Sequence, residues 1–370
     1  MHRMPMKAGS RLLAAGALMA GAVAQGSSLE RSDFAFESID SSDITLSQAN
    51  AAISIASESW KTDISLSASE FEFDYEPTNF DFNGRALERV ERNKAIQINA
   101  RRALNVDWTL LLGGGAYDGY TNYRSAWLDE YYRQQFSNLD GVPGAELYGN
   151  ASPNGFNATA GVRWAYKPSS AYVQLSVSQL QDDVSPGYEI DFEGLRRGQL
   201  ALATSAISLS TENILTRRIR SLFSIRVSQT SERSWRYGAE AAANVSLGEN
   251  WIARFQAGAT TEDPAFDAWY SSIALEYALS ERLSLYLDGR YYDDTGEIEN
   301  AFLFTNAAPG TRSERIGLGL KWIGDQWSGR LYIAPIDTRF DPTEGNVDFF
   351  QNLYQDRDWT VFQFALSRAY

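Results

Sequence analysis

Residues 358–370 read DWTVFQFALSRAY. Phe362, Phe364, Leu366 and Tyr370 share one parity, and Gln363, Ala365, Ser367 and Ala369 share the other. A period of two with one apolar set marks a β-strand with one apolar face. The chain ends on the last ring of that face. A terminal strand of this kind fits a closed sheet, in which the last strand pairs with the first.

The same pattern recurs upstream. Leu283, Leu285, Leu287 and Tyr291 oppose Ser284, Tyr286, Asp288 and Arg290. Ile316, Leu318, Leu320 and Trp322 oppose Arg315, Gly317, Gly319 and Lys321. From Thr62 onward, segments of this kind follow one another. The strand over 62–75 slips parity between Leu66 and Phe71, which predicts a bulge. Gly113 to Gly115 predicts a bend or a close approach of backbone. The count is about fourteen strands, with twelve or sixteen as neighbouring values. Tight connections follow Ala103, Tyr166, Ser210, Leu247, Leu279 and Ile323, and long or charged ones fall between them. Ser231 to Ser234 is short where a long one is due. The expected fold is all-β: a transmembrane, antiparallel, up-and-down β-barrel whose alternate residues face lipid.

Composition agrees. The chain has 370 residues, no cysteine, and aromatics in excess: 19 Tyr, 19 Phe and 10 Trp. Mean hydropathy is -0.34, compatible with a wall in which only every second residue is apolar. Lys7 and Arg11 precede a small, apolar run from Leu12 to Val23, and Ala22-Val23-Ala24 has the form of a peptidase site. Residues 1–24 therefore read as a signal peptide. Residues 25–61 are polar and Ser-rich and read as a periplasmic leader, with a helix or an extra hairpin as alternatives. Residues 62–370 form the barrel. Trp108, Trp164, Trp235, Trp251, Trp269, Trp322, Trp327 and Trp359 lie near strand ends, where amphipathic rings suit the headgroup level.

A net charge of -14 argues against a nucleic-acid partner. His2, the only histidine, lies in the signal peptide, so the mature chain lacks histidine-based catalytic and metal sites. No cofactor and no enzymatic step are expected. Acid-rich stretches at Asp182, Asp183, Glu189 and Asp191, and at Asp293, Asp294, Glu297 and Glu299, do not follow calcium-loop spacing. They read as solvated loops that divalent cations could bridge to lipopolysaccharide phosphates. The AWLDEYYRQQF stretch, 126–136, has helical spacing within the longest connection, 117–155.

A charge on the lipid side costs roughly 2–4 kcal/mol at mid-depth, so charged residues select the inward parity. That assigns Arg101, Arg163, Arg220, Arg226, Arg254, Arg290, Lys321 and Arg330 to the lumen, with Glu240, Glu276, Tyr286 and Asp288. Two arrangements fit: a wall-to-wall network of salt bridges and tyrosine hydrogen bonds, or an electropositive pore that favours anions.

With its signal peptide, wall pattern and terminal tyrosine, the chain resembles bacterial outer-membrane β-barrel proteins over about 62–370. In that family a C-terminal aromatic with alternating apolar residues is read by the barrel assembly machinery. Phe362, Phe364, Leu366 and Tyr370 match this signal; Arg368 departs from it. The resemblance implies an outer-membrane location, in contact with lipid and lipopolysaccharide. The leading expectation is a passive, porin-like channel, with a small anionic solute as the partner its arginines would favour. A closed structural or adhesive barrel acting through its loops is the second, and a transporter of hydrophobic compounds is the third.

Overall fold

The computed structural model describes residues 27–75, 87–119, 154–168, 170–191, 194–231, 234–263, 266–296, 310–341 and 356–370; side chains at 73–75, 87–89, 91, 183–191 and 194–201 are outside the description. The signal peptide, the 126–136 stretch and most long connections lie outside these residues.

Sixteen antiparallel strands close into one barrel. They are β1 (Ser28–Asp40), β2 (Ile44–Ala56), β3 (Trp60–Tyr75), β4 (Leu87–Ala103), β5 (Trp108–Gly119), β6 (Asn154–Lys167), β7 (Ala171–Asp191) and β8 (Gly194–Thr216). The second half is β9 (Ile219–Thr230), β10 (Trp235–Ser246), β11 (Trp251–Glu262), β12 (Phe266–Ser280), β13 (Leu283–Asp294), β14 (Gly310–Ile323), β15 (Trp327–Asp341) and β16 (Arg357–Ala369). Each strand pairs with its sequence neighbours, and β1 pairs with β16. Closure leaves no sheet edge, so every strand's backbone groups find partners without water.

The expected count of fourteen is corrected to sixteen. The two added strands lie in the stretch read as a leader, where the hairpin alternative holds. Their amphipathicity is weak. The outer parity of β2 carries Ala49, Ala51 and Ile53, and the outer parity of β1 carries only Phe34 and Phe36 between serines. Small residues hide the period, yet the register is unambiguous. Phe34 faces Leu366, Phe36 faces Phe364 and Ser38 faces Phe362 across the seam. The closing partner is thus the strand at Ser28, not one near Thr62. Tyr370 also ties to β1: its amide donates to Glu30 O at 3.1 Å, and its hydroxyl lies 3.2 Å from Ser32 Oγ.

Three further expectations change. The register of β3 with β2 and β4 runs without a shift, so the Leu66-to-Phe71 slip is no bulge. Phe71 simply points inward, at 1% exposure. The turn expected after Ser210 comes after Thr216, because β8 continues through Thr211 and Asn213. The loop expected over 181–198 is largely strand: β7 and β8 pair with each other as far as Asp191 and Gly194, beyond their pairing with β6 and β9.

The connections at 57–59, 104–107, 168–170, 217–218, 247–250, 281–282 and 324–326 share one rim with the start of β1 and the end of β16. The longer ones, at 76–86, 120–153, 295–309 and 342–356, share the other. The second rim also carries the tight connection 41–43.

The outer wall is apolar. Phe156, Val162, Leu175, Val177, Ile207, Leu209, Leu287, Ile316, Leu318 and Ile333 are all exposed on it. Around the tight-turn rim an aromatic belt assembles. Trp108 stacks on Trp164 at 6.2 Å, Trp251 meets Tyr277 at 4.7 Å, and Trp322 meets Phe364 at 6.5 Å. The Arg368 guanidinium lies over Trp327 at 5.3 Å and over Tyr370 at 4.6 Å, which lets a charged residue occupy the outer parity at the headgroup level. Trp235 and Trp269 mark the opposite rim. Trp359 is corrected out of the belt. It pairs with Ile336 on the inner parity, under the Arg357 guanidinium at 5.9 Å.

Candidate functional site: the inner wall

The register places Arg101, Arg163, Arg220, Arg226, Glu240, Arg254, Glu276, Tyr286, Asp288, Arg290, Lys321 and Arg330 on one face, opposite the apolar outer wall. Within that face they fall into local clusters. Glu276 is a hub: Arg254 pairs with it, Ser284 donates to it at 2.7 Å, and Lys321 stands at 3.7 Å. Asp288 accepts from Arg315 at 2.9 Å. Tyr270 donates to Glu240, and Arg290 lies over the Tyr270 ring at 5.1 Å. Arg330 reaches Gln363 at 3.5 Å, and Gln363 in turn donates to Glu37. Arg220 pairs with Glu212. Arg163 donates to Gln174 at 2.8 Å and lies over Tyr172 at 4.3 Å. Among the described residues, Arg101, Arg163, Arg226, Arg290 and Arg330 have no carboxylate within ion-pair distance.

The sequence reading missed several of the partners. Glu37 lies in the stretch taken for a leader. Glu212 lies where a turn was expected. Tyr270 and Glu262 are inward by register, and Glu262 holds Arg236 at 2.8 Å. With these acids in place, the surplus of arginine is smaller than the sequence alone implied.

Two glycine pairs shape the wall. At Gly317 a Cβ would strike the Tyr332 ring, and at Gly319 the Tyr286 ring. The tyrosines of β13 and β15 therefore fold over β14 and stack on each other, 5.8 Å apart and 3° from parallel. At Gly113 a Cβ would come within 2.7 Å of Asn99 Oδ1, and at Gly115 it would meet Gln97 Oε1. Amides of β4 thus lie flush across β5. The glycine run is a close approach and not a bend, since β5 continues through it.

An apolar row crosses the seam on the inner face, running Ala334, Val361, Ile39, Leu46 and Phe71 from β15 to β3. Two of its five members, Ile39 and Leu46, lie on strands the sequence reading did not assign. At the rim of the long connections, Arg357 clasps Asp43 of the β1–β2 turn at 2.8 Å. Burial alone would raise the Asp43 carboxyl, but the Arg357 pair and the Ser41 and Ser42 hydroxyls outweigh it and hold the group below its usual range. Of the acid-rich stretches, Asp293 pairs with Arg312 at 3.2 Å, and Asp294 accepts the amides of Gly296 at 2.7 Å and Thr311 at 3.2 Å. These two acids have structural partners and are not simply solvated. Among the described residues no group of three His, Cys, Asp or Glu is placed to hold a metal ion.

The described inner contacts run between adjacent strands or across one intervening strand, as in Tyr270 to Glu240 or Asn157 to Gln97. Sixteen strands about 4.8 Å apart and tilted about 40° close to a backbone radius of roughly 16 Å.

A closed barrel with an apolar outer belt, aromatic girdle and polar interior defines a bacterial outer-membrane β-barrel, and the protein belongs in the outer membrane. Solved structures agree on the fold. CdiB from Acinetobacter baumannii is 12% identical with a TM-score of 0.51; the match covers 93% of this chain, which spans 60% of the CdiB chain. A bacterial polysaccharide outer membrane secretin is 6% identical with a TM-score of 0.52, covering 92% of this chain and 98% of that one. No family model and no curated protein matches the chain.

Proposed function

We propose that the barrel is a passive, water-filled channel for small polar solutes, biased toward anions by Arg101, Arg226 and Arg290. The observation that carries this reading is the geometry of the inner contacts. They run along the wall, between side chains of adjacent strands or across one intervening strand. In a closed sixteen-strand barrel, side chains arranged in this way leave an aqueous path. The guanidiniums without acid partners supply the fixed positive charge that would set selectivity. Single-channel recording in planar bilayers tests it. Stepwise conductance is expected, with a reversal potential showing anion preference at about 0.1 M salt, where the Debye length is about 10 Å. The preference is expected to fade near 1 M, where screening acts within about 3 Å. A barrel that stays sealed at every voltage would overturn the channel, and cation preference would overturn the role of the arginines.

One observation favours a second reading, transport of a hydrophobic compound. The seam row from Ala334 to Phe71 places apolar side chains on an inner face that is polar elsewhere. Three of its five members are buried, however, Ala334 at 0%, Phe71 at 1% and Val361 at 2%, and Ile39 and Leu46 are partly buried against them. They pack against neighbours instead of lining a path, so this reading stands second.

A further inference from the structure

The charges of the inner wall are unevenly placed. On β2 to β8, described ionisable side chains of the inner parity keep to the ends of the wall. Asp63, Arg101, Arg163 and Glu212 lie toward the tight-turn rim, and Asp182 is level with the first residues of β6. Between these ends the inner positions are uncharged, and most carry Ser, Thr, Asn, Gln, Gly or Ala, with Leu111 and Leu180 among them. Ser65 pairs with Gln97 across β3 and β4, Thr159 with Ser178 across β6 and β7, and Ser176 with Ser208 across β7 and β8. Asn50 and Ser67 continue the surface on β2 and β3. All of these are partly accessible. On β10 to β16 the same zone carries Glu240, Arg290, Asp288 and the stacked tyrosines.

We infer that solutes cross along the neutral β2–β8 wall and that this wall selects uncharged, hydroxyl-rich molecules of the sugar class. The inference rests on the passive-channel reading. Short side chains set the widest clearance on this side. Gly113 and Gly115 keep the Asn99 and Gln97 amides flush, so they do not narrow the path. The hydrogen bonds already made here leave capacity unused. Ser176 and Ser208 share one bond at 2.7 Å, and Asn157 donates to Gln97 at 3.3 Å. A hydroxyl can donate once and accept twice, and an amide can donate twice and accept twice. Such a surface can trade hydrogen bonds with successive hydroxyls of a sugar at nearly constant energy, as water does. Between its ends it carries no charge of its own, and Arg226 of β9, opposite Ser208, bounds it on one side.

The probe is sucrose, compared with a polyethylene glycol of equal hydrodynamic size, which accepts hydrogen bonds but has few donors. Proteoliposome swelling gives the relative permeation rates, and bilayer recording gives salt conductance for the same preparation. Sucrose is expected to enter faster than the glycol. The triple variant Thr159→Val, Ser176→Ala, Ser208→Ala keeps side-chain volume but removes three hydroxyls. It is expected to lose most of the sucrose advantage, about five-fold if one net hydrogen bond is forfeited, while salt conductance persists. Arg290→Gln, on the other wall, is expected to shift the reversal potential and leave sucrose entry unchanged. Equal rates for sucrose and glycol, or a triple variant that conducts salt and keeps its sucrose advantage, would overturn the inference with the channel intact. Loss of salt conductance in the native barrel would overturn the channel itself.

Discussion

The glycine pairs of β5 and β14 are the same device used for opposite ends. Each removes two Cβ atoms from the inner face so that side chains of a neighbouring strand can lie flat. Over Gly317 and Gly319 the covering groups are Tyr332 and Tyr286, and the result is a packed wall backed by the Asp288–Arg315 pair. Over Gly113 and Gly115 the covering groups are the amides of Asn99 and Gln97, and the result is a smooth wall facing water. One side of the barrel uses glycine to bury large rings, and the other uses it to keep space. On the channel reading proposed above, the first is a structural wall and the second a permeation wall.

Substitutions matched across the two walls should give unequal effects. The double change Gly317→Ala, Gly319→Ala pushes two rings that are stacked on each other and cannot both yield. A loss of about 3 kcal/mol is expected from this overpacking, read as a lower midpoint in urea unfolding from detergent and as less of the heat-modifiable folded form. Glu276→Gln keeps the volume but strips the carboxylate from Arg254, Lys321 and Ser284. It should cost about 2 kcal/mol, less than a fully buried pair because Arg254 can reach lumen water, and should make the reversal potential more anion-selective. Gly113→Ala meets only the far end of the Asn99 side chain, which can swing into the lumen. Its cost should be below about 1 kcal/mol. Equal losses from Gly319→Ala alone and Gly113→Ala alone would erase the distinction between the walls.

The smallest effect concerns the seam clasp. The Asp43 carboxyl is held below its usual 3.8 by Arg357 despite its burial. A depressed folded value means that the clasp's contribution is complete above about pH 4 and is lost as pH falls through the lower, folded value. The barrel should therefore show a shallow loss of stability on acidification, and Asp43→Asn should abolish that pH step. An unchanged acid profile in the variant would remove the clasp from the account.

Much of this arrangement was legible in the sequence, for physical reasons that differ by region. Strands such as β13 and β14 declare themselves because lipid demands large apolar side chains at every second position. The inward parity of Arg254 or Asp288 follows from the same demand, since a charge facing lipid is costly. β1 and β2 were illegible because alanine and serine satisfy a wall position without marking its parity. Their omission hid Glu37, and with it part of the charge balance. Pairings such as Tyr270 with Glu240 join strands across an intervening one, and no spacing along the chain encodes them. The glycines of β5 signalled a close approach, but what approaches them depends on register.

The absence of cysteine from the native chain permits the most direct test. Ser208→Cys places a single thiol on the neutral inner wall, and Leu209→Cys places one on the outer wall, one residue away. Both barrels should conduct before treatment. A bulky, charged, membrane-impermeant thiol reagent should then lower the single-channel conductance of the Ser208→Cys barrel in one step and leave the Leu209→Cys barrel unchanged. A conducting Ser208→Cys barrel whose current ignores the reagent, despite confirmed labelling, would contradict a path along the β2–β8 wall.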